Sequence, residues 1–172
     1  MNPKIIAWSK PIFDRTVRRN WCITDNNVEE FDNLAFISIQ NSRRYKQFDG
    51  DDFLSDAPTF KQDHSNVLNI VFDDIDPKSK AGEPTLVLFD EDHARKIINF
   101  VHKNKGRNFF VHCTAGVCRS GAVASFINSL FDYDYQTFIE DNPAIQPNQH
   151  VLKILANVFG SEYSIGLTED QT

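Results

Sequence analysis

Asn108 to His112 (NFFVH) is a short apolar run that passes without a break into CTAGVCRSG and then AVASFINSLF. No other junction restricts the chain so much. A short apolar run before a Gly-bearing loop reads as a buried strand and its turn. The segment after the loop is helical in pattern. Strand, loop and helix in that order make an α/β unit, so we expect a central, mostly parallel sheet flanked by helices. Leu34 to Ile39 (LAFISI) and Val67 to Phe72 (VLNIVF) are further strand candidates, and Asn20 to Thr24 (NWCIT) reads as a short one. Ala94, Ile97, Ile98 and Val101 repeat at i, i+3, i+4 and i+7. That spacing predicts an amphipathic helix, with Asp90, Glu91 and Asp92 favourably near its start and Gly106 ending it. Tyr135 to Glu140 and Val151 to Phe159 read as two more helices.

With 172 residues the chain is the size of one domain. Hydrophobic residues make up 41% and charged residues 24%, which excludes wholesale disorder. Fifteen Phe against one Met point to a core of rigid aromatics. No apolar run approaches the roughly 18 residues of a bilayer span. The N-terminal MNPKIIAWSKPIFDR holds a short apolar patch but no signal-peptide core. A net charge of −6 argues against nucleic-acid or anionic-membrane partners. Three Cys without framework spacing lead us to expect free thiols and a cytoplasmic setting. No repeat or linker divides the chain. We expect one domain over residues 1–160 and a flexible acidic tail over 161–172.

The chemistry concentrates in His112-Cys113-Thr114-Ala115-Gly116-Val117-Cys118-Arg119-Ser120-Gly121. A loop between a strand and a helix N-terminus turns backbone N–H groups inward and makes an anion site with the helix dipole. Gly116 permits a backbone angle that other residues resist. Arg119 can grip two phosphate oxygens as a bidentate pair, which Lys cannot. Thiols beside Arg at a helix N-terminus are driven towards thiolate, and Cys113 lies at the base of the cradle. One segment thus supplies a nucleophile, a phosphate cradle and a charge clamp, the equipment for phosphoryl transfer to sulfur.

His-Cys, five residues, then Arg-Ser resembles the signature loop of the cysteine-dependent protein tyrosine phosphatases. HCTAGVCRSG between strand and helix is similar to the compact dual-specificity branch, especially the small tyrosine-phosphatase-like proteins of bacteria and their phages. LAFISI, VLNIVFDDID and NPAIQPNQHVLKIL resemble the early strand, the strand ending in the acid-bearing loop, and the late Pro-Asn segment before the last main helix. The resemblance spans roughly residues 30–160. It implies the single-domain phosphatase fold, with the signature loop between a strand and a helix N-terminus. It implies hydrolysis of phosphotyrosine, with phosphoserine and phosphothreonine as further substrates, through a phosphocysteine. In that reading Cys113 attacks phosphorus and Arg119 binds the phosphoryl oxygens. Ser120 hydrogen-bonds the thiolate, and His112 orients the loop. The amides of Thr114, Ala115, Gly116, Val117, Cys118 and Arg119 line the cradle. The resemblance implies no metal and no cofactor, and a phosphorylated protein or peptide as partner; the sequence leaves the oligomeric state open, with a monomer as one expectation.

The family also uses an upstream Asp as general acid. Asp73, Asp74 and Asp76 stand in DDID; Asp74, 39 residues before Cys113, best matches the family position. The PKSKAGEPT insert accounts for a separation longer than usual. Low-molecular-weight phosphatases share Cys-x5-Arg but carry it at the N-terminus. A non-catalytic phosphate-binding module is the alternative function, although such modules usually lose the Cys or the Arg. Cys118 is either a redox partner that traps an oxidised Cys113 as a disulfide or an apolar filler behind the loop. Cys22 is expected in the core. His64, His93, His102 and His150 are expected as surface or capping residues. Arg43, Arg44 and Lys46 fit either an acidic phosphopeptide or a solvated loop.

Overall fold

Four β-branched and aromatic segments form the sheet: β1 (Ile5–Ser9), β2 (Leu34–Gln40), β3 (Val67–Val71) and β4 (Asn108–Cys113). The computed structural model describes residues 3–42, 58–76 and 86–163. Arg43, Arg44, Lys46, the 77–85 insert and residues 164–172 of the expected tail lie outside the described residues. The strand order is β1-β4-β2-β3, and every pairing is parallel. β4 therefore lies inside the sheet, with Phe110 opposite both Ile6 and Phe36.

Side chains alternate between two cores, as the strand period requires. One face carries Ile5, Ile37, Ile70, Phe109 and Val111 and is covered by helices α2 (Glu91–Lys103), α3 (Arg119–Leu130), α4 (Tyr135–Asp141) and α5 (Gln149–Val158). The other carries Ile6, Phe36, Val67 and Phe110 and meets Phe13, Val17, Ile23, Val28 and Phe60. Phe13 sits on the short helix α1 (Lys10–Asp14), which a wider π-type turn, Arg15–Asn20, continues. Helices on both faces of a parallel sheet make this an α/β protein. Among the described residues no helix is long and apolar enough to cross a membrane.

α2 forms as its pattern predicts. Asp90 caps it by accepting from the His93 amide at 3.0 Å, while His93 Nδ1 accepts from the Asp90 amide at 3.3 Å. Two expectations fail. The NWCIT segment is a turn and not a strand: the amides of Trp21 and Ile23 donate back to Thr16 and Val17 at 2.9 Å. Cys22 stands at the surface with φ +56°, outside the core, and only Ile23 of that segment is buried. The missing strand is β1, in the apolar patch after Pro3.

β1 is an edge strand whose outer side is closed by one side chain. Asn142 Oδ1 accepts from the Ala7 amide at 2.7 Å, and its Nδ2 donates to the Ile5 carbonyl at 2.8 Å. The side-chain amide acts there as one peptide unit of a fifth strand, and it is buried. Asn142→Leu keeps the volume and strips both partners from β1. Buried backbone groups left unpaired cost about 1–3 kcal/mol each, so urea unfolding is expected to show a loss of roughly 2–4 kcal/mol.

Candidate active site

All four strands deliver their C-terminal ends to one edge of the sheet, the edge where α/β proteins place their ligands. β4 ends there at Cys113, and α3 begins six residues later at Arg119. The turn between them is clamped on both flanks. The Thr114 carbonyl accepts from the Lys10 amide at 3.2 Å, Val117 O from Gln146 N at 3.2 Å, and Cys118 O from Asn148 N at 3.1 Å. In a trans peptide the carbonyl and the following N–H point in opposite directions. The amides of Ala115, Cys118 and Arg119 are thus turned away from the clamps.

Gly116 makes this curl possible. Its φ is +76°, and a Cβ placed on it would lie 2.3 Å from Ser9 N and 2.4 Å from the Trp8 carbonyl carbon. Both neighbours are backbone and cannot step aside. The expectation that Gly116 serves a special angle is met, and the close approach of β1 is a second reason that the sequence did not reveal.

Cys113 is buried at the floor of the turn. Its Sγ accepts from the Gly116 amide at 3.2 Å and lies 3.2 Å from Ser120 Oγ. Arg119 is 4% exposed, and its two terminal nitrogens donate to Phe72 O at 2.8 Å and Thr114 Oγ1 at 3.2 Å. Its Nε is buried with no hydrogen-bond partner among the described residues. An unpaired, buried guanidinium N–H at the start of a helix is a donor that an anion would satisfy.

His112 points to the opposite face of β4. Nε2 shares a 2.7 Å hydrogen bond with Ser38 Oγ, and the ring packs on Phe13 at 4.3 Å between centroids. Nδ1 is buried with no hydrogen-bond partner among the described residues. Complete burial, with the nearby Lys10 charge, pushes the imidazole down to about 3 against the opposing pull of Asp14. His112 is therefore a neutral strut of the β4–β2 pair.

The three acidic candidates have different surroundings. Asp73 is buried and fully engaged: it accepts from the Ser42 hydroxyl, from Ser42 N at 3.1 Å and from Val87 N at 2.8 Å. Burial pushes its carboxyl up, but these hydrogen bonds and the Arg119 charge outweigh that and hold it below the usual range. Asp74 is exposed and sits over the turn, accepting from Asn148 Nδ2 at 2.8 Å. Asp76 is exposed further along. Burial and the Asp74 carboxylate push the Cys118 thiol up. A protonated thiol is a slow resolving nucleophile, which weighs on the redox role expected of Cys118.

The other histidines are tied locally. His93 caps α2, His150 Nε2 donates to Phe89 O at 2.9 Å, and His64 Nε2 pairs with Asp25 at 3.0 Å. His102 stacks on Phe159 and Tyr163. His64 is largely buried and so is not the surface residue expected. A cavity of about 690 Å³ lies at the opposite end of the sheet, beside Lys4, Asn108, Tyr133 and Asp141. It shares no residue with the turn, and nothing in its lining marks it for an anion. Sequence reasoning missed Asn148 as a site residue. The only signal was its place after Pro147, ahead of an apolar run.

A comparison with protein-family models finds no match, and a search of curated proteins finds none either.

Gly116→Ala is expected to cost more than the roughly 1–2 kcal/mol of a left-handed angle, because the turn must also move off β1. Thermal unfolding should show the loss, and protection by inorganic phosphate should vanish with it. His112 gives a pH signature. Its folded value lies below the unfolded one of about 6.5, so the unfolded chain takes the proton first as pH falls. The stability held by the neutral ring is complete above about pH 6.5 and lost towards pH 3, at up to about 1.4 kcal/mol per pH unit. Urea unfolding between about pH 4.5 and 6.5 should fall with that sign and flatten in His112→Gln.

Proposed function

We propose that the chain is a cysteine-dependent phosphatase of the dual-specificity type, acting on phosphotyrosine and on phosphoserine or phosphothreonine in proteins. One observation carries the reading. The Cys113 sulfur lies on the floor of the turn, hydrogen-bonded by Gly116 N and beside Ser120 Oγ, with the unpaired Arg119 Nε in the same turn. The donors favour negative charge on phosphoryl oxygens, and a nucleophile placed among them is set for attack on a bound phosphate.

Cys113 Sγ attacks phosphorus as the bond to the ester oxygen breaks. The departing electron pair stays on that oxygen, which takes a proton from Asp74. Arg119 and the amides hold the phosphoryl oxygens through the change. A water then attacks the phosphocysteine and gives its proton to the Asp74 carboxylate. The S–P bond breaks, and the Ser120 hydroxyl stabilises the thiolate that leaves. Asp73 is the weaker candidate for the acid, because its hydrogen bonds keep it ionised and enclosed. Electrostatic stabilisation comes from Arg119 and the amides, so no metal enters the scheme.

Release of phosphate from para-nitrophenyl phosphate without added metal is the expected activity. Cys113→Ser should abolish turnover while phosphate still binds, since the cradle is backbone. Arg119→Lys should be nearly inactive for want of the planar fork. Either variant at wild-type rate overturns the mechanism, and binding without turnover in the wild-type protein leaves a phosphate-binding module. Asp74→Asn should lower kcat about 10²–10⁴-fold on substrates with poor leaving groups and much less on para-nitrophenyl phosphate.

A further inference from the structure

Asn148 does more than start a helix. At the N-cap of α5 its Oδ1 accepts from His150 N at 3.0 Å and Val151 N at 3.1 Å. Two backbone donors on one terminal atom require that atom to be oxygen, so the other is the nitrogen. That nitrogen donates to Asp74 Oδ1 at 2.8 Å, and the Asn148 backbone amide donates to Cys118 O at 3.1 Å. One residue thus fastens α5, the signature turn and the exposed carboxylate. Capping alone would need only the first of these.

We propose that Asn148 is a positioning residue for proton transfer: it holds Asp74 by Oδ1 and leaves the second carboxyl oxygen to carry the proton to the leaving group. The inference rests on the phosphatase reading above and adds a residue to it. An amide N–H cannot accept the acid's proton, so on the neutral acid that proton sits on the oxygen that Asn148 does not hold. When the P–O bond breaks, the proton passes from that oxygen to the ester oxygen, and Asp74 is left as a carboxylate with the Asn148 N–H still in place. When water attacks, its proton returns to the same oxygen. A carboxyl freed from Asn148 must find this orientation afresh in each turnover, and the loss appears in the rate of protonated departure rather than in phosphate binding.

The test uses two substrates, phenyl phosphate with a poor leaving group and para-nitrophenyl phosphate with a good one. Asn148→Asp keeps a strong N-cap and, ionised, has no proton to donate. Asn148→Ser also caps but is too short to reach Asp74. In both variants kcat on phenyl phosphate is expected to fall about 10–100-fold. KM, and kcat on para-nitrophenyl phosphate, should stay within about threefold. In an Asp74→Asn background neither substitution should lower kcat further, because the group it positions is gone. Equal losses on both substrates, an undiminished loss in the Asp74→Asn background, or no loss overturns the proposal. So does a lowered thermal midpoint in both cap-preserving variants with equal losses on both substrates, which assigns Asn148 to the fold alone. Cys113→Ser is measured alongside. Its retention of activity overturns the phosphatase reading. An inactive Cys113→Ser, with leaving-group dependence in Asp74→Asn but not in the Asn148 variants, overturns only the positioning role.

Discussion

Three carbonyls turned outward organise the whole site. Thr114, Val117 and Cys118 each give their oxygen to an amide from another part of the chain: Lys10, Gln146 and Asn148. A backbone held that way has its N–H groups facing the other side, and a ring of unshared N–H groups is an anion site before any side chain is considered. The clamps come from the start of α1 and from the segment that leads into α5, so the turn takes its shape only when the ends of the fold have met. Gly116 is the local price of that arrangement, since its backbone lies against Trp8 and Ser9 with no room for a methyl group. The cradle therefore belongs to the tertiary structure and not to the ten-residue segment that names it.

Much of the fold was legible because periodicity reports burial. LAFISI and VLNIVF are apolar on both faces, as strands covered on both sides must be, and Ala94, Ile97, Ile98 and Val101 make one helical face. β1 was not legible. Five residues between Pro3 and Pro11 are too short to establish a period, and their strand character comes from pairing with β4, about a hundred residues on. NWCIT failed for the converse reason: its composition favours a strand, but the preceding turn captures its amides and leaves Cys22 at φ +56°. At the site, Cys113, Gly116, Arg119 and Ser120 stood in one contiguous segment whose residue types state their chemistry. Asn142 and Asn148 did not stand out, because an asparagine that closes a sheet edge or reaches a carboxylate looks in sequence like any other polar residue near a turn.

The adjacent carboxylates Asp73 and Asp74 bring out a further constraint. The chain bends at Asp74, where the Ile75 amide donates back to the Asp73 carbonyl at 3.1 Å, and the bend parts the two carboxylates. Asp74 stays exposed, and Asp73 goes inward. There it ties the Ser42 and Val87 segments together and sets a negative charge near Arg119. A guanidinium this buried is costly without a compensating charge, so an ionised Asp73 serves Arg119 by staying ionised. In the proposed mechanism the same requirement makes Asp73 the weaker candidate for the acid, because proton transfer needs a carboxyl that changes state in each turnover. Asp74, on the outer side of the step, faces the mouth of the turn, with one oxygen held by Asn148. Burial thus divides the pair: the inward carboxylate steadies charge, and the exposed one is the proton donor of the proposed mechanism.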